Sequence, residues 1–204
     1  MPPLTQSDTP AALRPNVTEA DAVRAFSAIT PSNMYWQKIR GPLQRLAAAY
    51  VPFRLFHVEY ELGATRNVRW FAMDRVQGAL DLFEFAAEPV PSRLAHLPAR
   101  NYIAPQLSDE QTESTLNEKV LRVIFQQGFF RVRETHLKLD ASPLNLYMPY
   151  WLAFYGPEHS LRCRVLDATR RRIEGSKASQ LFETWLRAPR STAEASVQYA
   201  APQL

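Results

Sequence analysis

The side chains able to do chemistry are few, and their spacing argues against most active-site plans. Cys163 is the only cysteine of the chain, which excludes an internal disulfide and a multi-cysteine zinc site. It sits in an alternating run, Leu161–Leu166, whose Leu161, Cys163 and Val165 share one face while Arg162 and Arg164 take the other. A cysteine so placed is a small buried hydrophobe with no basic neighbour to activate it. The histidines, His57, His96, His136 and His159, stand alone, without Cys, Asp or Glu at metal-ligand spacing. Asp74 and Asp167 open similar turn-prone stretches. As a pair they are candidate carboxylates for acid–base work, but turn chemistry accounts for each, because an Asp side chain accepts hydrogen bonds from the backbone just downstream. There is no G-x-S-x-G, no Walker loop and no glycine-rich dinucleotide turn, and the six glycines do not cluster. No catalytic residue, metal or cofactor is expected.

Two clusters remain. Arg170, Arg171 and Arg172, with Arg162 and Arg164, are a candidate basic patch. With an aromatic such as Tyr155 beside it, that patch can hold phosphates and stack bases, although Asp167 and Glu174 dilute its field. Trp70, Tyr150, Trp151, Phe154 and Tyr155 are a candidate binding surface. The run Tyr147–Tyr155 has no polar alternation, so as a strand it needs cover on both faces, from the protein or from a partner. The net charge of +4 is a mild excess that implies weak attraction to polyanions at most.

The elements that must position these residues can be read in order. Thr18 reads as an N-cap with Asp21 at the capping-box position; Ala22, Ala25, Phe26 and Ile29 form one helical face, and Pro31 ends the helix. A second helix is expected over about Asn33–Ala49, interrupted by Gly41-Pro42, with Trp36, Ile39, Leu43 and Leu46 inward. From Val51, Phe56, Val58, Tyr60 and Leu62 alternate with His57, Glu59 and Glu61. Gly63–Asn67 is the turn, Val68–Met73 a second strand, Asp74–Gly78 a tight reversal and Ala79–Phe85 a third strand. Ser108 and Gln111 form a capping box for a helix to Gln127 with Leu116, Val120, Val123 and Ile124 on its stripe. A strand over Phe130–Leu139 and a turn over Asp140–Leu144 lead to Tyr147. Gly156-Pro157-Glu158-His159 turns into Leu161–Leu166, and Ser176 caps a last helix to about Ala188 that faces Leu181, Phe182, Trp185 and Leu186 inward.

Two stretches share an order. Tyr50-Val51-Pro52-Phe53 matches Tyr147-Met148-Pro149-Tyr150, and Val68–Asp74 matches Leu161–Asp167. The fold class expected is α+β: two duplicated antiparallel hairpin or meander units, 50–78 and 147–175, each preceded by a helix, with helices packed on the sheet. The domain plan is a flexible tail at 1–16, a first lobe at 17–88, a proline-rich linker at 89–107, a second lobe at 108–188 and a tail at 189–204. Strand, turn, strand and Asp-x-x-x-Gly over 50–78 and 147–175 resemble the PepSY-type repeat, in which a helix packs on a small antiparallel sheet. Asp74 to Gly78 has the spacing of that family, whereas Arg171 stands at the position of Gly78 in the second unit. The resemblance implies binding or inhibition.

These observations lead to a non-enzymatic binding or scaffolding module acting through the aromatic sheet surface, its partner a protein or a second copy. One alternative is a small-ligand protein or enzyme with a cavity between the lobes. The other is a weak nucleic-acid binder through Arg170–Arg172. No run approaches the ~18–20 apolar residues of a membrane helix. The opening MPPLTQSDTPAALRPNVTEAD lacks the charged start and apolar core of an export signal. No membrane partner is expected, and the expected location is cytoplasmic.

Overall fold

The computed structural model describes residues 11–62, 65–98, 100–127, 137–157 and 162–188. The order of elements is β1 (Ala11–Leu13), α1 (Glu19–Ser27), α2 (Pro31–Arg40), β2 (Leu43–Leu62), β3 (Thr65–Asp74), β4 (Phe83–Phe85), β5 (Leu94–His96), α3 (Asp109–Gln127), β6 (Leu137–Tyr155), β7 (Cys163–Asp167), β8 (Arg172–Ile173) and α4 (Ser176–Arg187). The described strands make one mixed sheet in the order β4-β3-β2-β6-β1-β5, with β7 also pairing β6 and β8 pairing β7. The α+β class expected from the sequence is the observed one.

Two strands dominate. β2 and β6 run 20 and 19 residues, far longer than the ~5–6 of an ordinary strand, and pair antiparallel from Leu43↔Tyr155 to Tyr60↔Leu137. The stretches 17–88 and 108–188 therefore meet inside one sheet. Each long strand carries a proline in its middle, where the missing N–H would normally break a ladder. Tyr50, two residues before Pro52, points its polar backbone groups away from β6: its N–H donates to the Asn101 carbonyl (2.8 Å) and its carbonyl accepts from the Ile103 N–H (2.9 Å). Pro52 shares that orientation, so its ring nitrogen faces away from the β2–β6 seam. Its carbonyl accepts from the Arg75 N–H (2.8 Å), and the Pro149 carbonyl accepts from the Ala168 N–H (3.1 Å).

Both hairpins have the same register about these prolines. Phe53, after Pro52, pairs with Asp74, and Tyr150, after Pro149, pairs with Asp167. Pairing continues unshifted to His57↔Trp70 in one and Phe154↔Cys163 in the other. Asp74 Oδ1 accepts from the N–H groups of Val76, Gln77 and Gly78, and Oδ2 from Leu80. Asp167 Oδ1 accepts from the N–H groups of Thr169 and Arg170. Gly78 has φ +61°, and Arg171 has φ +57° at the corresponding place. An arginine thus adopts the left-handed backbone that glycine takes without strain.

Helices dock across the two units. Ala12 pairs in parallel with Tyr147, and six residues on Thr18 caps α1 through a reciprocal box with Asp21. Tyr102 bridges in parallel to Tyr50, and six residues on Ser108 and Gln111 make the same box before α3. The Asn16 N–H bonds the Ala168 carbonyl, and the Gln106 N–H bonds the Arg75 carbonyl, each 2.8 Å. So α1, which precedes the first hairpin, packs Phe26 against Ala153, Tyr155 and Leu166 of the second. α3, which precedes the second, packs Leu116 and Val120 against Phe56, Val58, Tyr60, Phe71 and Met73 of the first. The other sheet face is covered by Leu181 and Phe182 of α4.

Several expectations are corrected. The helix expected over Asn33–Ala49 ends at Arg40, and Leu43 and Leu46 belong to β2: Gly41-Pro42 ends one element, and β6 supplies the next with a ladder. Pro31 opens α2 at its first turn, where its missing N–H costs nothing. Ile29 does not dock; it is 92% exposed in the link between α1 and α2. Within the tail expected at 1–16, Ala11–Leu13 form β1. Within the linker expected at 89–107, Leu94–His96 form β5 against β1. The third strand covers only Phe83–Phe85, and β3 already starts at Thr65. The turn expected at Asp140–Leu144 is a bulge inside β6, where pairing shifts between Arg54↔Asn145 and Phe56↔Ala141. Gly175, not Ser176, stands at the N-cap of α4. Residues 130–136 of the strand expected over Phe130–Leu139, and the tail expected at 189–204, lie outside the described residues, as do the side chains of Val123 and Ile124.

Candidate functional site

The aromatic residues expected to form a binding surface are divided between the two faces of the sheet and mostly buried. Tyr150 meets the Phe182 ring edge-on at 5.6 Å between centroids, and Phe154 is buried in the same cluster under the Arg45 guanidinium (4.6 Å). Tyr155 faces the other way, 5.8 Å from Trp36. Burial pushes the hydroxyl pKa of Tyr155 up, and that of Tyr150 well up with help from the Asp167 charge. Trp151 is half-buried and its indole N–H donates to the Val17 carbonyl (3.0 Å). Trp70 is half-buried against His57, 4.9 Å between rings. Tyr150, Phe154 and Tyr155 are core residues: the two-sided apolar strand is covered by the protein's own helices.

The five arginines expected as a basic patch are likewise committed to the fold. Arg164 is only 5% exposed. Its guanidinium hydrogen-bonds Asn33 Oδ1 and Ser32 Oγ and lies near the rings of Phe26 (5.9 Å) and Trp36 (5.7 Å), which fastens α2 to β7. Arg162 pairs with the buried Glu183 (2.8 Å). Arg170 pairs with Asp167 (2.7 Å) and Glu174 (3.4 Å), and Arg172 with Asp81 and Glu174, each 3.1 Å. Arg171 donates to the Asn16 carbonyl. Alternation correctly placed Arg164 opposite Cys163, on a face made interior by α1 and α2, whereas Arg162 reaches Glu183 of α4, the helix that covers the Cys163 side.

Cys163 is buried, and desolvation, helped by the Glu183 charge, pushes its thiol up to about 12. It is a packing residue without thiolate character at neutral pH. Among the described residues no group of three or more His, Cys, Asp or Glu side chains gathers at metal-binding distance. No described helix is long and apolar enough to cross a membrane.

Neither a family model, nor a curated protein, nor a solved structure matches this chain. Its function has to be argued from its own surfaces, and two of them went unmarked in the sequence reading. One is the outward side of α2. At about 100° per residue, Met34, Lys38, Tyr35 and Ile39 fall within one arc of about 140°, while Asn33 and Trp36 fall opposite, against the sheet. Met34, Tyr35 and Ile39 are 58%, 64% and 52% exposed. α2 contains Lys38 and Arg40 and no acidic residue. The signal was present in the sequence but was inverted by the expectation that Ile39 belonged to a longer, inward stripe.

The other is a cleft of about 370 Å³ between the Phe83–Phe85 edge of the sheet, the chain after β1 and the turn after β7. Its walls come from residues 13–16, 83–93 and 169, three segments far apart in sequence. Sequence periodicity carries no trace of such a convergence.

Proposed function

We propose that this protein is a non-enzymatic binding module that docks an acidic, amphipathic segment of a protein partner on the outward side of α2. The observation that carries this reading is the composition of that side: Met34, Tyr35 and Ile39 are all more than half exposed. Isolated exposed apolar residues are ordinary, but a contiguous group on one short helix is the usual mark of an interaction surface. Lys38 within that arc, unopposed by any acid on α2, favours a partner of opposite charge and disfavours a second copy, whose own lysine would be brought face to face with it. A binding role is also what the resemblance to PepSY-type repeats implies.

The test is fluorescence anisotropy with a labelled synthetic helix carrying leucines on one face and glutamates elsewhere. It is compared with the same helix carrying lysines. The glutamate peptide should bind in a salt-sensitive way, and Met34→Ser with Ile39→Ser should weaken it by about tenfold or more. Equal binding of both peptides, or no effect of the double variant, defeats the reading. A concentration-dependent dimer in light scattering, abolished by the same substitutions, would make the surface a self-association site instead.

A further inference from the structure

We infer that the cleft at the seam of the curved sheet binds a small organic anion with a flat, apolar body. β4 and β5 are at opposite ends of the strand order, yet Phe83, Phe85 and Leu94 pack into the same core cluster. The sheet therefore curls until its margins approach, and the cleft is the gap that is left. Phe83 and Phe85 form one wall, their ring centroids 4.5 Å apart. An aliphatic chain or a planar ring fits such a wall, and about 370 Å³ lies in the range of sites that enclose one small molecule.

The polar lining selects the charge. Arg14 and Arg93 both line the cleft. Arg14 is held in place by its Nε, which donates to the Leu94 carbonyl (3.1 Å), and by its backbone N–H, which donates to the Arg93 carbonyl (2.9 Å). Neither guanidinium has a carboxylate partner among the described residues, although Arg162, Arg170 and Arg172 all do. The one acid of the lining, Glu84, is engaged by Arg69 (3.3 Å). Thr169 also lines the cleft, and its Oγ1 is buried without a hydrogen-bond partner. Buried hydroxyls are nearly always satisfied, so an orphan one in the same lining as two guanidinium groups without a carboxylate partner marks a place for an acceptor. A carboxylate and a phosphate monoester share the required head: both accept from a hydroxyl and from a guanidinium fork.

The experiment is isothermal titration of the full chain with benzoate, phenyl phosphate, benzamide and inorganic phosphate. Benzoate or phenyl phosphate should bind, the stronger of the two identifying the head, and benzamide and inorganic phosphate should each be weaker by about tenfold or more. Thr169→Val, which keeps the shape, and Arg93→Ala, which removes an exposed side chain, should each weaken the anion by about tenfold while leaving the melting temperature of the free protein undiminished. Benzamide binding as tightly as benzoate would make the cleft merely apolar and overturn the assignment. So would wild-type affinity in both variants, or no binding of any probe at about millimolar concentration. Because α2 is not part of the cleft, none of these outcomes bears on the peptide test of the α2 surface.

Discussion

Substitutions at Asp74 should separate the charge of a turn from its shape. The carboxylate is fully buried and holds four backbone N–H groups: Val76 (3.2 Å), Gln77 (2.9 Å) and Gly78 (2.9 Å) on Oδ1, Leu80 (2.9 Å) on Oδ2. In Asp74→Asn the amide oxygen can keep the three Oδ1 bonds, but its NH2 then faces the Leu80 N–H, donor against donor. One buried donor left unsatisfied costs about 1–3 kcal/mol. In Asp74→Ala all four lose their acceptor. Gln77 is only partly buried and recovers its bond from water, leaving Val76, Gly78 and Leu80. Three such groups cost about 3–9 kcal/mol, a large part of the ~5–15 kcal/mol that holds a domain together. For a chain of this size 1 kcal/mol is worth about 2–4 °C. Thermal melts followed by circular dichroism should show Asp74→Asn lowered by about 4–8 °C, and Asp74→Ala lowered by more than twice as much or unfolded. If Asp74→Asn melts with the wild type, or if Ala is no worse than Asn, the turn does not depend on its carboxylate and the donor-by-donor reasoning fails.

Three further outcomes follow from the core. Trp151→Ala loses half-buried ring contacts and the bond to the Val17 carbonyl; it should cost about 2–4 kcal/mol, and an unchanged melting temperature would show that the ring is not a core element. Cys163 and Tyr150 both have proton affinities raised by burial above their ordinary values of 9.0 and 10.0. Each then contributes stability that is fully present below its ordinary value and is lost as pH rises through the raised one. Melts should therefore fall steadily from about pH 9 upward, and Cys163 should resist alkylation at pH 8 until denaturant is added; a thiol that reacts freely in the native protein contradicts its burial.

Local chemistry was legible in the sequence wherever one short segment determined it. The Thr18–Asp21 and Ser108–Gln111 boxes, the aspartate turns and the alternation of Phe56, Val58 and Tyr60 all stand as read, because each depends on neighbours within a few residues. The central position of Tyr147–Tyr155 was readable too, since an all-apolar strand tolerates no wet face. What failed was long-range. Leu43 and Leu46 fit a helical stripe as well as a strand, and only pairing with β6 decides between them. Nothing in Arg164 says that Asn33 and Ser32 will receive it in the interior. The candidate sites suffered most: dense aromatics mark cores and surfaces alike, whereas the two surfaces now favoured depend on where α2 ends and on which distant segments the curled sheet brings together.

The crossed docking of α1 and α3 has a consequence for biosynthesis. When β2 and β3 have left the ribosome, the apolar side formed by Phe56, Val58, Phe71 and Met73 has no cover, because Leu116 and Val120 have yet to be made. Phe26 waits longer still, until Ala153, Tyr155 and Leu166 arrive. Neither half can cover its apolar side from its own residues alone, so the nascent chain carries exposed hydrophobic surface through much of its synthesis. A protein built this way depends on protection during translation more than its length alone would suggest.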